Sequence, residues 1–347
     1  DDFFGRLSGT DSMIDIALFS KLLSAIGQHA KLILLGDKNQ LASVEAGSVF
    51  GDLCTVVSAQ NHFTKEYIEF YKIFFPDFIF PNTQNDEIFS PLQNQLIELQ
   101  ESHRFAIDSE IGRLSSLILN GDANAVEKYY LNEAINNYVK WKTVFEVKYI
   151  ESFANYFIEL IDELDVIKAL KLINKAKILC AVREGRSGVN QINQVVEKYL
   201  STVGKIDASS EYYDNRMIMI TQNQPELDIY NGDLGLIRKI DGKKKACLLK
   251  ANGEIQFLSP ALIKGMETAW AMTIHKSQGS EFDHIQMILP GEKENPLLNR
   301  ELIYTAITRA RFTVEIISNI EVLKTAIHHT AKRISGIQTR LKNMEWE

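Results

Sequence analysis

Ala271-Met272-Thr273-Ile274-His275-Lys276-Ser277-Gln278-Gly279-Ser280-Glu281-Phe282 sets a run of polar and ionisable side chains and one glycine inside an otherwise apolar pattern. Glu267-Thr-Ala-Trp270 leads into it, and His284-Ile-Gln-Met-Ile-Leu-Pro290 reads as a short buried strand stopped by proline. A core strand would not carry such a block, whereas a loop entering a helix suits it. There, backbone amides, hydroxyls and one cation can converge on phosphate oxygens. Thr273, His275, Lys276, Ser277 and Gln278 are therefore candidate phosphate contacts, of a nucleotide or of a nucleic acid. A polar surface loop has the same composition, so the flanking sequence has to decide.

Upstream, Lys31-Leu-Ile-Leu-Leu-Gly36-Asp37-Lys-Asn-Gln40-Leu41 predicts a buried parallel strand over residues 32–35. It stops at Gly-Asp and presents Gln40 where open α/β sheets place ligands. Downstream stands Arg300-Glu-Leu-Ile-Tyr304-Thr-Ala-Ile-Thr308-Arg309-Ala-Arg311. Gly-Asp-x-x-Gln-Leu, Thr-x-His-Lys-Ser-Gln-Gly and Tyr-Thr-Ala-x-Thr-Arg-Ala, in that order, resemble motifs III, V and VI of superfamily 1 helicases. Leu41-Ala-Ser-Val-Glu-Ala-Gly47, Ser102-His-Arg104-Phe105, Ala181-Val-Arg183-Glu-Gly185, Tyr230-Asn231-Gly-Asp233 and Gly279-Ser-Glu281-Phe-Asp283 narrow this to a resemblance to the RecD family. These are the alpha chains of bacterial exodeoxyribonuclease V, and the likeness runs from about Ser12 to Arg311.

The resemblance implies an α/β fold with two RecA-like parallel-sheet domains. Residues 1–130 would form a partial first domain, with an aromatic-rich insert at about 59–91. A helical connector would follow over 131–176, and residues 177–347 would form the second domain, with a small antiparallel, SH3-like β insert at about 223–266. A plain hairpin packed on its host domain fits the insert equally well.

Function follows from the same likeness. It implies an ATP-dependent helicase moving 5′ to 3′ on DNA, with ATP and Mg²⁺ as cofactors of the full-length protein. Its place would be in double-strand-break repair and recombination, its partners single-stranded or duplex-end DNA and RecB-like and RecC-like subunits. A standalone RecD-like helicase and a non-enzymatic DNA- or partner-binding scaffold are the alternatives.

Residue roles are carried over position by position. Arg309 matches the arginine finger, Arg104 the arginine aimed at the γ-phosphate, and Gln40 the residue that reports nucleotide state; Glu281 matches the acid that accepts a ribose hydroxyl. Asp37, Gly279 and Tyr304 join the nucleotide side. Thr273, His275, Lys276, Ser277 and Gln278, with Arg183, Asn193 and Asn231, fall to the DNA strand. The two lobes would face each other, so that Gln40 and Arg104 look across at Arg309 and Glu281. Each assignment has a plainer counterpart: a loop-capping glutamine, a helix-capping aspartate, a surface salt bridge at Arg104, solvated charges around a helix start at 183–193.

Composition bounds these readings. The 347 residues are 45% hydrophobic and 24% charged, enough for two cores. A net charge of −7 argues against a protein that coats DNA by bulk electrostatics, so a DNA grip has to be local. No apolar run reaches the roughly 18–20 residues of a membrane span, and the expected location is the cytoplasm. Cys54, Cys180 and Cys247 are widely spaced and read as reduced thiols. No metal site is expected, the adjacent His328 and His329 pointing apart on a helix.

Nowhere is there a Gly-x-x-x-x-Gly-Lys-Ser/Thr phosphate loop, and Gly9-Thr-Asp11 stands where the family carries Asp-Glu-Ala. The expectation is a C-terminal fragment, or a copy whose nucleotide half has been lost. Periodicity further predicts helices over 16–26 and from Ile320 to about Leu341, amphipathic helix over most of 123–176, and strands at 177–182, 217–221 and 313–318. Asp241-Gly242 and Asn252-Gly253 read as hairpin turns. The aromatics between His62 and Phe89 suit packing or a partner contact better than base stacking.

Overall fold

The structure, a computed structural model, describes residues 16–27, 29–41, 49–57, 60–80, 82–83, 92–99, 106, 109–131, 137–250, 252–291, 295–331 and 336–343. It divides into two compact units, Asp1–His103 with Ala331–Glu347, and Arg104–Thr330.

The first unit opens with helix α1 (Ile16–Ala25), which ends just before Gly27 as the sequence predicts. Residues 32–35 were expected to be a buried central strand, and here the structure differs. They form no strand, and Leu32, Ile33 and Leu35 are 40%, 72% and 72% exposed. An apolar run is buried as a strand only between sheet neighbours, and none of the described sheets includes this one. Helix α2 (Val49–Thr55), strand β1 (His62–Phe63), helix α3 (Lys65–Phe74) and strand β2 (Asn82–Thr83) follow, β1 and β2 pairing in parallel. Thr64 caps α3 by accepting the Tyr67 N–H at its hydroxyl. The aromatics pack largely on one another: Tyr71 meets Phe75, Phe78 and Phe80 at centroid distances of 4.8, 5.4 and 5.3 Å.

In the second unit, α4 (Glu110–Leu119) and α5 (Ala123–Leu131) come first. The Glu110 carboxylate accepts the N–H groups of Asn137, Tyr138 and Val139 at 2.9, 2.8 and 3.0 Å, which fixes the start of strand β3 (Val139–Lys142). Residues 110–130, expected with the first domain, therefore belong to the second unit. Helices α6 (Val147–Ala154), α7 (Tyr156–Asp162) and α8 (Val166–Lys171) lead to β4 (Ala176–Cys180), every residue of which is buried, and α9 (Val189–Thr202) follows. The stretch read as a helical connector thus also supplies a strand. Val-Lys-Trp-Lys is too short for its period of two to stand out, yet Val139 and Trp141 face inward.

Strands β5 (Met217–Ile220), β6 (Leu234–Ile240), β7 (Lys243–Leu249), β8 (Ile255–Leu258) and β9 (Met266–Thr268) form an antiparallel sheet in the order β8-β7-β6-β5-β9. The sheet is larger than the expected insert, because β5 pairs with both β6 and β9. The β6–β7 hairpin turns on Asp241 and Gly242, with φ of 50° and 76°, as the Asp-Gly pair predicts. Ile218, Ile220, Ile229, Ile237, Ala246 and Leu248 form its core. Arg238, 8% exposed, donates to the carbonyls of Leu160 and Glu163 at 2.9 Å, joining the sheet to the end of α7.

Strands β10 (Ala271–Thr273), β11 (Phe282–Ile288) and β12 (Ala310–Ile317) complete a five-stranded parallel sheet in the order β10-β4-β11-β12-β3. Helix α10 (Arg300–Ile307) precedes β12 and α11 (Ile320–His328) follows it. The closing helix expected to reach Leu341 stops at His328. Arg300 holds that end, its N–H donating to His329 O and its Nε to Ile327 O, each at 2.8 Å. Helix α12 (Ile337–Asn343) belongs to the first unit and packs against α2. The α/β class is thus realised, with one complete parallel sheet and a separate antiparallel one.

Candidate functional site

Residues 274–281 join the two edges of the parallel sheet. β10 ends level with the carboxyl end of β4, whereas β11 begins at the amino-terminal edge and lies on the far side of β4. Eight residues of α-helix would cover only about 12 Å, short of the roughly 16 Å of a five-residue strand. The chain therefore makes a single 3-10 turn, His275–Ser277, where the sequence predicted entry into a helix. Gly279 then takes a φ of +81°, a left-handed conformation that a side chain would disfavour, and the chain enters β11.

At the carboxyl-terminal edge, the expected strand contacts divide. Ser277 is fully buried and donates from Oγ to Ile274 O at 2.7 Å, so it holds the turn and offers nothing to a ligand. Thr273 accepts the Lys276 N–H at 3.3 Å, and His275 and Gln278 are half-buried. Asn193 is 7% exposed. Its Oδ1 accepts the Ala271 N–H at 2.8 Å, and its Nδ2 donates to Thr268 O and Ala271 O at 3.1 and 3.2 Å. It braces β10 from within.

The turn from β4 into α9 carries backbone amides of the kind that can meet a phosphate. They are occupied: Val189 N–H donates to Val182 O, Asn190 N–H to Arg183 O and Gly188 N–H to Gly185 O, at 3.2, 3.2 and 3.0 Å. What that turn presents is Arg183, 51% exposed at its side chain, whose Nη2 lies 2.8 Å from Glu267 Oε2. Lys276 Nζ lies 2.7 Å from the other oxygen, Oε1. One carboxylate on β9 thus gathers two of the expected phosphate cations. Asn231 is exposed on the loop between β5 and β6, its N–H donating to Asn223 Oδ1 at 2.8 Å.

At the amino-terminal edge, Gly279, Ser280 and Glu281 line an open hollow of about 640 Å³ with Lys171, Lys175, Asp283 and Arg311. Arg311 Nε lies 3.2 Å from Glu281 Oε2, and Lys175 pairs with Glu159. The cations Lys171 and Lys175 escaped the sequence reading, because only the fold brings the end of α8 and the turn after it beside the start of β11. Arg309, the expected finger, is 2% exposed. Its Nε donates to Thr305 O at 3.1 Å and its Nη1 to Ser280 O at 3.2 Å, tying the end of α10 to the crossover. Tyr304 is half-buried on α10.

In the first unit, Asp37 accepts the Asn39 N–H and Gln40 Nε2 at 2.9 Å each, the capping alternative. Gln40 Oε1 is buried with no donor among the described residues. Arg104 lies outside the described residues. Among the described residues no group of three or more His, Cys, Asp or Glu is placed to hold a metal ion, and no helix is long and apolar enough to cross a membrane.

The unexpected buried charge is Lys177 on β4, wholly buried. It donates from Nζ to Ala269 O at 2.8 Å, lies 2.8 Å from Met217 Sδ and sits 5.6 Å from the Phe282 ring centroid. Burial alone lowers its pKa from 10.5 to about 7.

Residues 268–317, which carry the crossover and α10, match the UvrD-like helicase C-terminal domain, and residues 11–65 match an AAA domain. The RecBCD enzyme subunit RecD of Haemophilus influenzae is 33% identical over 96% of this chain and 53% of its own length. The chain is RecD-like. The RecBCD enzyme subunit RecD of Mycolicibacterium smegmatis is 29% identical over 95% of the chain and 53% of its own length. The chain therefore spans about half the length of the curated relatives it matches. The ATP-dependent RecD2 DNA helicase of Deinococcus radiodurans is 25% identical over 86% of the chain and 34% of its own length.

Proposed function

We propose that this RecD-like chain is the C-terminal portion of an ATP-dependent 5′-to-3′ DNA helicase, the RecD-like subunit of an exodeoxyribonuclease V complex with RecB-like and RecC-like partners. The observation that carries the reading is the crossover at 274–281. It has Lys276 near one sheet edge and Glu281 at the other, so a shift at the nucleotide end is transmitted within eight residues to the strand end. Glu281 accepts a ribose hydroxyl once it leaves Arg311. Lys171, Lys175 and Arg311 supply positive potential along the same hollow. At the other edge Arg183 and Lys276 hold the DNA backbone.

ATP hydrolysis supplies the free energy, and the buried Gln40 Oε1, which has no donor among the described residues, is an acceptor that suits a water or nucleotide donor. Mg²⁺ would enter with the nucleotide in the full-length protein, held chiefly by phosphate oxygens and water. A nuclease-complex subunit is favoured over a standalone helicase because the RecBCD subunits match at higher identity and over more of their length. Phe70, Phe74 and Phe75 on and after α3, 60%, 63% and 55% exposed, suit a subunit surface.

The test is DNA-stimulated ATP hydrolysis by the full-length protein and by this chain alone. The full-length protein turns over. The chain binds single-stranded DNA without turnover, since its 347 residues contain no phosphate loop. Turnover by the chain would overturn the division of labour, and none in the full-length protein would leave a DNA- or partner-binding scaffold.

A further inference from the structure

We infer that Arg183 and Lys276 form one seat for a single-stranded DNA phosphate, and that Glu267 is the resident counter-ion with which the phosphate competes. The inference rests on the DNA-binding reading above and goes beyond it in naming the competitor. The two cations come from separate elements, the turn after β4 and the 3-10 turn after β10, and Glu267 comes from a third, β9. Each carboxylate oxygen holds one cation, Oε1 to Lys276 Nζ at 2.7 Å and Oε2 to Arg183 Nη2 at 2.8 Å. The two non-bridging oxygens of a phosphodiester present the same pair of acceptors.

Access and charge agree with this. The Arg183 side chain is half exposed, while Glu267 is 19% exposed, so an incoming phosphate meets the guanidinium first. Ion pairs this close to water are weak enough to be exchanged. The seat carries two cations and one carboxylate, a residual single positive charge matching one phosphate. A strand held this way is released readily, because Glu267 closes the seat behind it. That suits a protein that must let go of the backbone at every step.

The experiment measures binding of a fluorescein-labelled oligothymidylate of about 15 nucleotides to the full chain across a salt series. Glu267→Gln is expected to bind roughly three- to tenfold tighter, with a steeper salt dependence. Arg183→Gln and Lys276→Gln each weaken binding. Their double variant flattens the slope of log K against log salt by about 0.7, one phosphate's worth. A wild-type chain that does not bind at all sinks the DNA reading and this seat with it. A wild-type chain that binds while a folded Glu267→Gln gains nothing sinks the seat alone. If Glu267→Gln fails to fold, the double variant decides: a slope change of about 1.4 would mean two independent contacts and no shared seat.

Discussion

Asn193 of α9 hydrogen-bonds both backbone groups of Ala271, accepting its N–H at 2.8 Å and donating to its carbonyl at 3.2 Å. A third bond reaches Thr268 O at 3.1 Å, so one amide spans the junction between β9 and β10. β10 is a three-residue edge strand, paired on one side with β4. Asn193 supplies on the helix side what a second neighbouring strand would otherwise give.

Asn193→Ala should therefore cost about 3 kcal/mol of stability, since it leaves buried backbone groups without partners. Chemical denaturation measures this. DNA binding of the residual folded protein should change little, and a variant of undiminished stability with weakened DNA binding would return Asn193 to the strand contacts.

Gly188 and Gly279 separate two reasons for a glycine. A Cβ at Gly188 would lie 2.5 Å from both C and O of Glu184 and 2.6 Å from Arg183 O, all backbone atoms. Gly188→Ala should open the turn that carries Arg183, cost roughly 2 kcal/mol or more, and weaken DNA binding. A Cβ at Gly279 meets nothing within 4 Å, and only its φ of +81° resists. Gly279→Ala should cost about 1 kcal/mol. Thermal melts of the two variants give the comparison, and equal losses would contradict it.

Arg309 has two expected effects, and they are separable. Its guanidinium satisfies Thr305 O and Ser280 O in a buried position, so Arg309→Ala should lower the melting temperature. In the full-length protein it should also lower ATP turnover by roughly 10³-fold while nucleotide still binds. Unchanged hydrolysis in a destabilised variant would make Arg309 a brace between α10 and the crossover and nothing more.

These cases show what the sequence makes legible. The hairpin at Asp241-Gly242 is recognisable because it depends on residues adjacent in sequence. The sequence reading gave Ser277, Asn193 and Arg309 ligand-facing roles, yet their side chains turn inward, because side-chain direction depends on elements far away in the chain. Glu267 and Lys171 carry no motif of their own and gain a role only when the fold sets them beside Arg183 and Gly279. Residues 32–35 show the opposite limit: an apolar run fixes a strand only when neighbours complete the sheet.

Lys177 gives a prediction in pH. Its amine is buried against Ala269 O, Met217 Sδ and the Phe282 ring, and its pKa falls from 10.5 to about 7 on folding. Because the folded pKa is the lower one, the unfolded chain binds more protons between about 7 and 10.5. Stability should then rise with pH across that window, by at most about 1.4 kcal/mol per pH unit from this group. Below about 7 both states are protonated, and the whole cost of burying the charge is present. Lys177→Met keeps the length and apolar stem and removes the titration. Denaturant melts from pH 7 to 10 should show the slope in the wild type and lose this contribution in the variant, with the variant's advantage largest at the acidic end. Parallel curves for the two proteins would mean that Lys177 keeps its ordinary pKa and reaches solvent when folded.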